Sequence, residues 1–371
     1  NLDGKDGNDT IDGRGGADIL IGGLGNDVFL FNTNDVAAGE YITENVGEGT
    51  DVIAIVTTTD FSNMTAASFD EIEQIRFSSA NQTGTFTGAQ LTGETLLLTE
   101  IAAGTSNLII NVGSGTAASF LNLTASTFTS GSDTVTINGT TGNESITAPN
   151  LATIINAGNG NDIIDGGDGA DTLVGGSGND VYIFNTNDVD AGETISDSGG
   201  SADVVAIATS VDFANLPEAN LDNIEQIRFA GANQTGTFTG AQLTGETLLL
   251  TETAAGTSNL VINVGSGTTT TFTNITASTF TNGSDTIRIN GTAGNENITG
   301  PNLATTIDGG DGADTLVGGN ANDVYIFDTN DVDAGETISD SGGSADVVAI
   351  ATSVDFVNLP EANLDNIEQI R

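Results

Sequence analysis

With 51 acidic residues against 6 basic ones, a net charge of −45 over 371 residues, this chain repels itself unless cations neutralise it, and it lacks the clustered Lys and Arg that nucleic acid or anionic membrane surfaces require. Histidine and cysteine are absent, which excludes disulfides, zinc or haem ligation by those side chains, and a histidine general base. The apolar share, 37%, still suffices for ordinary cores, so a disordered tail is excluded as well.

In chain order, residues 1–31 open with three nine-residue blocks, DGKDGNDTI, DGRGGADIL and IGGLGNDVF, which place Asp9, Asp18 and Asp27 identically. Each block joins a glycine-rich turn to a short strand carrying an apolar residue such as Ile11 or Leu20. Residues 32–137 carry short β-branched and apolar runs. Residues 138–184 return to nonapeptides: Asp162, Asp171 and Asp180 repeat the aspartate position, Glu144 stands in it 18 residues before Asp162, and Thr153 replaces it between them. Residues 185–289 form a second intervening stretch with strands centred near Ile227, Phe238, Leu249, Ile262, Phe272 and Ile287. A third nonapeptide cluster, 290–327, holds Glu296, Asp314 and Asp323, and residues 328–371 start the next intervening stretch.

The whole unit repeats. NQTGTFTGAQLTGETLLLTE begins at Asn81 and Asn233, and a related hexapeptide ends at Arg76, Arg228 and Arg371, so the period is 152 residues and then 143. The difference is one block of nine, present after Asn150 and missing after Asn302. An indel of that quantum identifies nine residues as one turn plus one strand. Loops 18 apart then share an edge of a two-strand coil, and the missing block places Asp314 and Asp323 on opposite edges. The chain begins and ends inside a copy, which reads as a window on a longer array. No 18-residue apolar run and no signal pattern occur, so neither membrane insertion nor a leader is expected within it.

Carboxylates and bare glycine carbonyls on a shared edge can surround one hard cation. The blocks resemble the repeats-in-toxin (RTX) nonapeptide G-G-x-G-x-D-x-U-x, and the resemblance implies Ca2+ held in a parallel β-roll. The expected fold is all-β, with β-rolls alternating with further solenoid or sandwich segments, the continuous parallel solenoid being favoured. After each roll a second acidic cluster, Asp188, Asp190, Glu193 and Asp203, matched by Asp331, Asp333, Glu336 and Asp346, has a D-x-D-x-x-E spacing that can also ligate calcium. The recurring arginines read as partners of the glutamates three residues before them.

No H-E-x-x-H or G-x-S-x-G is present, and every acidic cluster recurs, whereas an active site usually appears once. The expected role is therefore a non-catalytic, calcium-dependent segment of a secreted bacterial surface protein: an S-layer, an extracellular filament or an adhesin stalk, self-associating into a lattice or filament. A calcium-dependent region of a larger RTX exoenzyme or toxin, or an ice- or ligand-binding solenoid, stays open as an alternative.

Overall fold

The computed structural model describes residues 1–44, 49–128, 132–280, 284–340, 342–359, 364 and 366–371. The chain divides into two compact units, Asn1–Tyr182 with Gly192–Gly200, and Ile183–Ala191 with Ser201–Arg371. In both, short strands stack in parallel ladders, as the solenoid reading expects.

In the first unit, Thr134–Thr140, Thr153–Asn159, Thr172–Ser177 and Thr194–Ser196 stack on one face. Ala117–Ser119, Ser145–Thr147 and Ile163–Asp165 stack on another. The chain visits the two alternately, so one nonapeptide is half a coil. Period-2 alternation sends every second side chain inward. Ile137 lies over Ile155, Ile155 over Leu173 and Leu173 over Ile195, all buried. Full burial of each contributes about 1.5–3 kcal/mol, and polar neighbours face out.

Between the rolls the coils widen. Leu96 pairs with Leu123 and Asn107 with Thr134, and the strand ladder passes from one coil type to the other without a break. A wider coil admits aromatic rings: Phe61 stacks on Phe86 with centroids 4.6 Å apart, and both meet Phe69 edge-on. Buried Gln90 ties this layer together, its side-chain amide donating to the carbonyls of Phe61 and Met64 at 2.8 and 2.9 Å.

The second unit repeats these features. Phe213 stacks on Phe238 at 4.4 Å, and Gln242 donates to Phe213 and Leu216. Five of the six anticipated strand centres lie in strands, and Phe272 lies one residue past Thr269–Thr271. After Pro217 the chain forms the short 3-10 turn Glu218–Leu221.

The nine-residue indel exchanges the faces. In the first unit the face carrying Thr134–Thr140 continues to Thr194–Ser196. In the second, the equivalent strand Thr286–Asn290 continues through Thr305–Asp308 and Val324–Phe327 to Val347–Ile350, while Thr337–Ser339, the counterpart of Thr194–Ser196, stacks on the other face. Half a coil has been removed, and everything after it has changed sides.

Candidate metal centre

The turn between two strands fixes the site. Asn161 and Asp162 follow Gly160, which has φ 123°, and a Cβ there would stand 1.8 Å from the Gly142 carbonyl oxygen of the coil before. Only glycine permits loops to stack so closely. Asn143 Oδ1 then accepts from the Asn161 backbone N–H at 2.9 Å, and Asn161 Oδ1 from that of Asn179 at 2.8 Å.

The aspartates form a second ladder beside the asparagines, each using one carboxylate oxygen on the backbone amide of the preceding coil. Asp162 accepts from Glu144 N–H at 2.7 Å, and Asp180 from Asp162 N–H at 2.8 Å, each across 18 residues. In the first roll Asp27 accepts from Asp9 and Asp51 from Asp27, at 2.7 and 2.8 Å. In the third, Asp314 accepts from Glu296, while Asp323 accepts from Thr305 on the opposite edge, as half-coil counting requires.

The other carboxylate oxygen carries the chemistry. Oδ2 of Asp9, Asp27, Asp162 and Asp314 is buried with no hydrogen-bond partner. A buried, unpaired carboxylate oxygen costs free energy that a hard cation removes. The surroundings oppose ionisation without one. Burial, joined by the charges of Glu296, Asp331 and Asp333, pushes the Asp314 carboxyl up to about 7, against the hydrogen bond from the Glu296 amide. Burial likewise raises Asp323 to about 7 and Glu336 to about 8. An all-oxygen donor set of buried carboxylates and glycine carbonyls suits Ca2+.

The RTX calcium-binding nonapeptide repeat (4 copies) matches residues 1–29, 152–182 and 303–329. These three stretches are RTX calcium-binding nonapeptide repeats. The nonapeptides bind Ca2+, making this a calcium-dependent structural repeat region. The stretches between the repeats lie outside the match, and no curated protein matches the chain.

Within the RTX repeats, Asp18 and Asp171 stand on the edge opposite their neighbours, where Glu40 and Glu193 accept from their backbone amides at 2.9 Å in each case. Glu336 does the same for Asp314 at 2.8 Å. Glu144 and Glu296 lie before the matched stretches, and their longer side chains bridge their own loops to the coil before. Glu144 accepts from Thr140 N–H at 3.0 Å, the Thr140 hydroxyl at 2.9 Å and Gly115 N–H at 2.7 Å, and Glu296 repeats the pattern with Thr292 and Gly267.

The structure spreads the second acidic cluster over several positions, with Asp331 beside Asp311 and Asp328, and Asp346 beside Asp323 and Asp340. Asp188 Oδ2 closes a turn on the Asn185 backbone and side-chain amides at 2.6 and 3.1 Å, and Asp331 closes the equivalent turn on Asp328. Asp190 and Asp333 are exposed. Glu193 and Glu336 belong to the ladder, and so do Asp203, whose amide donates to Glu225 at 2.8 Å, and Asp346, which accepts from Asp323 at 2.8 Å.

The arginine expectation is corrected. Glu73, Glu225 and Glu368 accept the backbone amides of Asp51, Asp203 and Asp346 at 2.7, 2.8 and 2.7 Å, so they extend the ladder and are not given to Arg76, Arg228 and Arg371. Among the described residues the ion pairs are Lys5 with Asp3 and Arg288 with Asp308. Sequence reasoning also passed over Glu44 and Asp340, which converge with Asp27 and Asp51, and with Asp323 and Asp346. The available signal was position: an acid 17 residues after the last nonapeptide aspartate recurs at Glu44, Asp197 and Asp340.

Proposed function

We propose that this RTX repeat region is a non-catalytic structural segment of a secreted bacterial surface protein, whose repeats self-associate into a lattice or filament, with Asp9, Asp18, Asp27, Asp162, Asp171, Asp180, Asp314 and Asp323 as its calcium ligands. One observation carries the reading. The buried ladder carboxylates recur at matching repeat positions and each holds the backbone amide 18 residues before it, as an array element does and a single active site does not. Supporting it, no helix among the described residues is long and apolar enough to cross a membrane. Negative-stain images of the purified material should show ordered assemblies with calcium and dispersed chains after chelation. Monomeric particles under both conditions would remove the assembly reading.

A further inference from the structure

We propose a calcium site at the exit of the first roll, held by Asp27, Glu44 and Asp51, of which only Asp27 belongs to a nonapeptide. The coil after the last block of this roll continues the loop stack. Gly49 sits over Gly25 as Gly25 sits over Gly7: a Cβ on either would stand 1.9 or 2.1 Å from the carbonyl oxygen below. Thr50 N–H donates to Asn26 Oδ1 at 2.8 Å, as Asn26 N–H donates to Asn8. Gly49 and Thr50 therefore extend the RTX-like edge, and the strand register sets the acid Glu44 beside Gly22, the first glycine of the last nonapeptide.

That acid completes a cradle. One oxygen each of Asp27, Glu44 and Asp51 lies within 4.8 Å of the other two. Oxygens around calcium at about 2.3–2.6 Å stand at most about 5 Å apart, whereas around magnesium they stand closer. The cradle is aimed and open. Asp27 is fully buried and its Oδ2 has no donor, and Glu44 Oε1 is also buried without one. Glu44 Oε2 accepts from Gly23 N–H at 3.3 Å and Asp51 Oδ1 from Asp27 N–H at 2.8 Å, so each ligand is held by backbone. Gly22 keeps the space clear, since a Cβ there would meet Glu44 Oε1 at 1.9 Å and Asp27 Oδ2 at 2.5 Å.

The third roll has the same arrangement with Asp323, Asp340 and Asp346, but there Tyr325 donates its hydroxyl to Asp340 at 2.7 Å and Gly319 N–H donates to Asp323 Oδ2 at 2.8 Å. Phe29 stands where Tyr325 does and offers no hydroxyl, which leaves the first exit with the open oxygens.

The identity of the ion rests on the calcium reading of the rolls. Equilibrium dialysis of the whole chain against radiolabelled Ca2+ tests the site: Glu44→Gln should bind one calcium fewer than the parent, with an unchanged circular dichroism spectrum in calcium. Asp60→Asn, at an exposed turn, should match the parent. Should Glu44→Gln misfold, Asp51→Asn reports instead, because its amide oxygen still accepts from Asp27. Unchanged stoichiometry in a folded variant overturns the exit site and leaves the nonapeptide sites standing, whereas a parent chain that binds no calcium overturns both. Loss of this one ion to equimolar Mg2+ overturns its assignment to calcium.

Discussion

Asp162 joins three coils: its Oδ1 accepts the backbone amide of Glu144, 18 residues before it, and its own amide donates to Asp180 Oδ1, 18 residues after it, while its Oδ2 lies buried without a donor. Under the proposed ligand assignment this oxygen meets calcium, so chelation should unfold the rolls. Extracellular calcium modules have dissociation constants of about 0.1–1 mM, and at ten to a hundred times that value each site adds roughly 1.4–2.7 kcal/mol. Several sites together rival the usual total stability of about 5–15 kcal/mol. Circular dichroism should show strand signal lost in excess chelator, and Asp162→Ala should lower the melting temperature in calcium more than Thr153→Ala. A spectrum indifferent to chelator would reduce the loops to plain turns.

The third roll should respond to pH in opposite directions with and without metal. Folding raises Asp314 and Asp323 to about 7 and Glu336 to about 8, burial being the main cause, so the ion-free fold holds these protons more tightly than the unfolded chain. Without calcium, stability should therefore rise as pH falls from about 8 toward about 4, the region between folded and unfolded values. Calcium must displace the same protons, so its affinity should fall over that range. Strand signal by circular dichroism in chelator and calcium titrations, each at several pH values, read the two trends. Parallel trends would mean that these groups do not face the ion.

Glu73→Ala and Arg76→Ala separate the ladder from the ion pair that the spacing suggested. Truncating Glu73 strands the amide of nearly buried Asp51 and should cost about 1–3 kcal/mol. Truncating Arg76, which has no ion-pair partner among the described residues, should shift stability by less than about 0.5 kcal/mol. Urea denaturation in calcium measures both. Equal losses would restore the pair.

Gly178 and Gly93 both have positive φ, 139° and 82°, but they differ in company. A Cβ on Gly178 would stand 1.6 Å from the Gly160 carbonyl oxygen, whereas one on Gly93 meets nothing within 4 Å. Gly178→Ala should cost roughly 2–6 kcal/mol from backbone strain and overpacking combined, and Gly93→Ala about 1–2 kcal/mol from conformation alone. Thermal melts compare them directly.

Much of this was legible because it is local. The nine-residue register gave the half-coil, and β-branched runs gave strands whose inward residues, such as Ile137, Ile155 and Leu173, stack at a fixed offset. The ladder partners outside the rolls were illegible because the coils change length: Asp51 lies 24 residues after Asp27, Glu73 22 after Asp51, and Asp133 27 after Ser106. Glu44 was nonetheless within reach of counting, since it stands 17 residues after Asp27 as Asp340 stands 17 after Asp323. Asp188 shows what spacing alone leaves open, since the structure sets its Oδ2 on the Asn185 amides of its own turn.

The nine-residue quantum makes the sharpest demand on the rolls. Deleting Asn156–Ile164 from the second roll recreates the register of the third, turning NLATIINAGNGNDIIDGG into NLATIIDGG, close to NLATTIDGG. Asp171 would then lie 18 residues after Glu144 and accept its backbone amide, as Asp314 accepts that of Glu296. Inward residues remain inward, because Ile155 would be followed by Leu173 after one half-coil instead of one whole coil. The variant should fold in calcium with strand content close to the parent and fewer bound ions, since Asp162 is lost. Deleting only Asn156–Gly160 removes about half of a half-coil. It displaces Asp162, Asp171 and Asp180 from their edges and sends Ile164 and Leu173, both fully buried in the parent, toward solvent. Large truncations at such positions cost about 2–5 kcal/mol each, and losing the ladder as well should leave the second roll unfolded even in saturating calcium. Limited proteolysis and circular dichroism distinguish the two deletions. A five-residue deletion that resists protease as well as the nine-residue one would show that loop length, and not the half-coil, is what these repeats preserve.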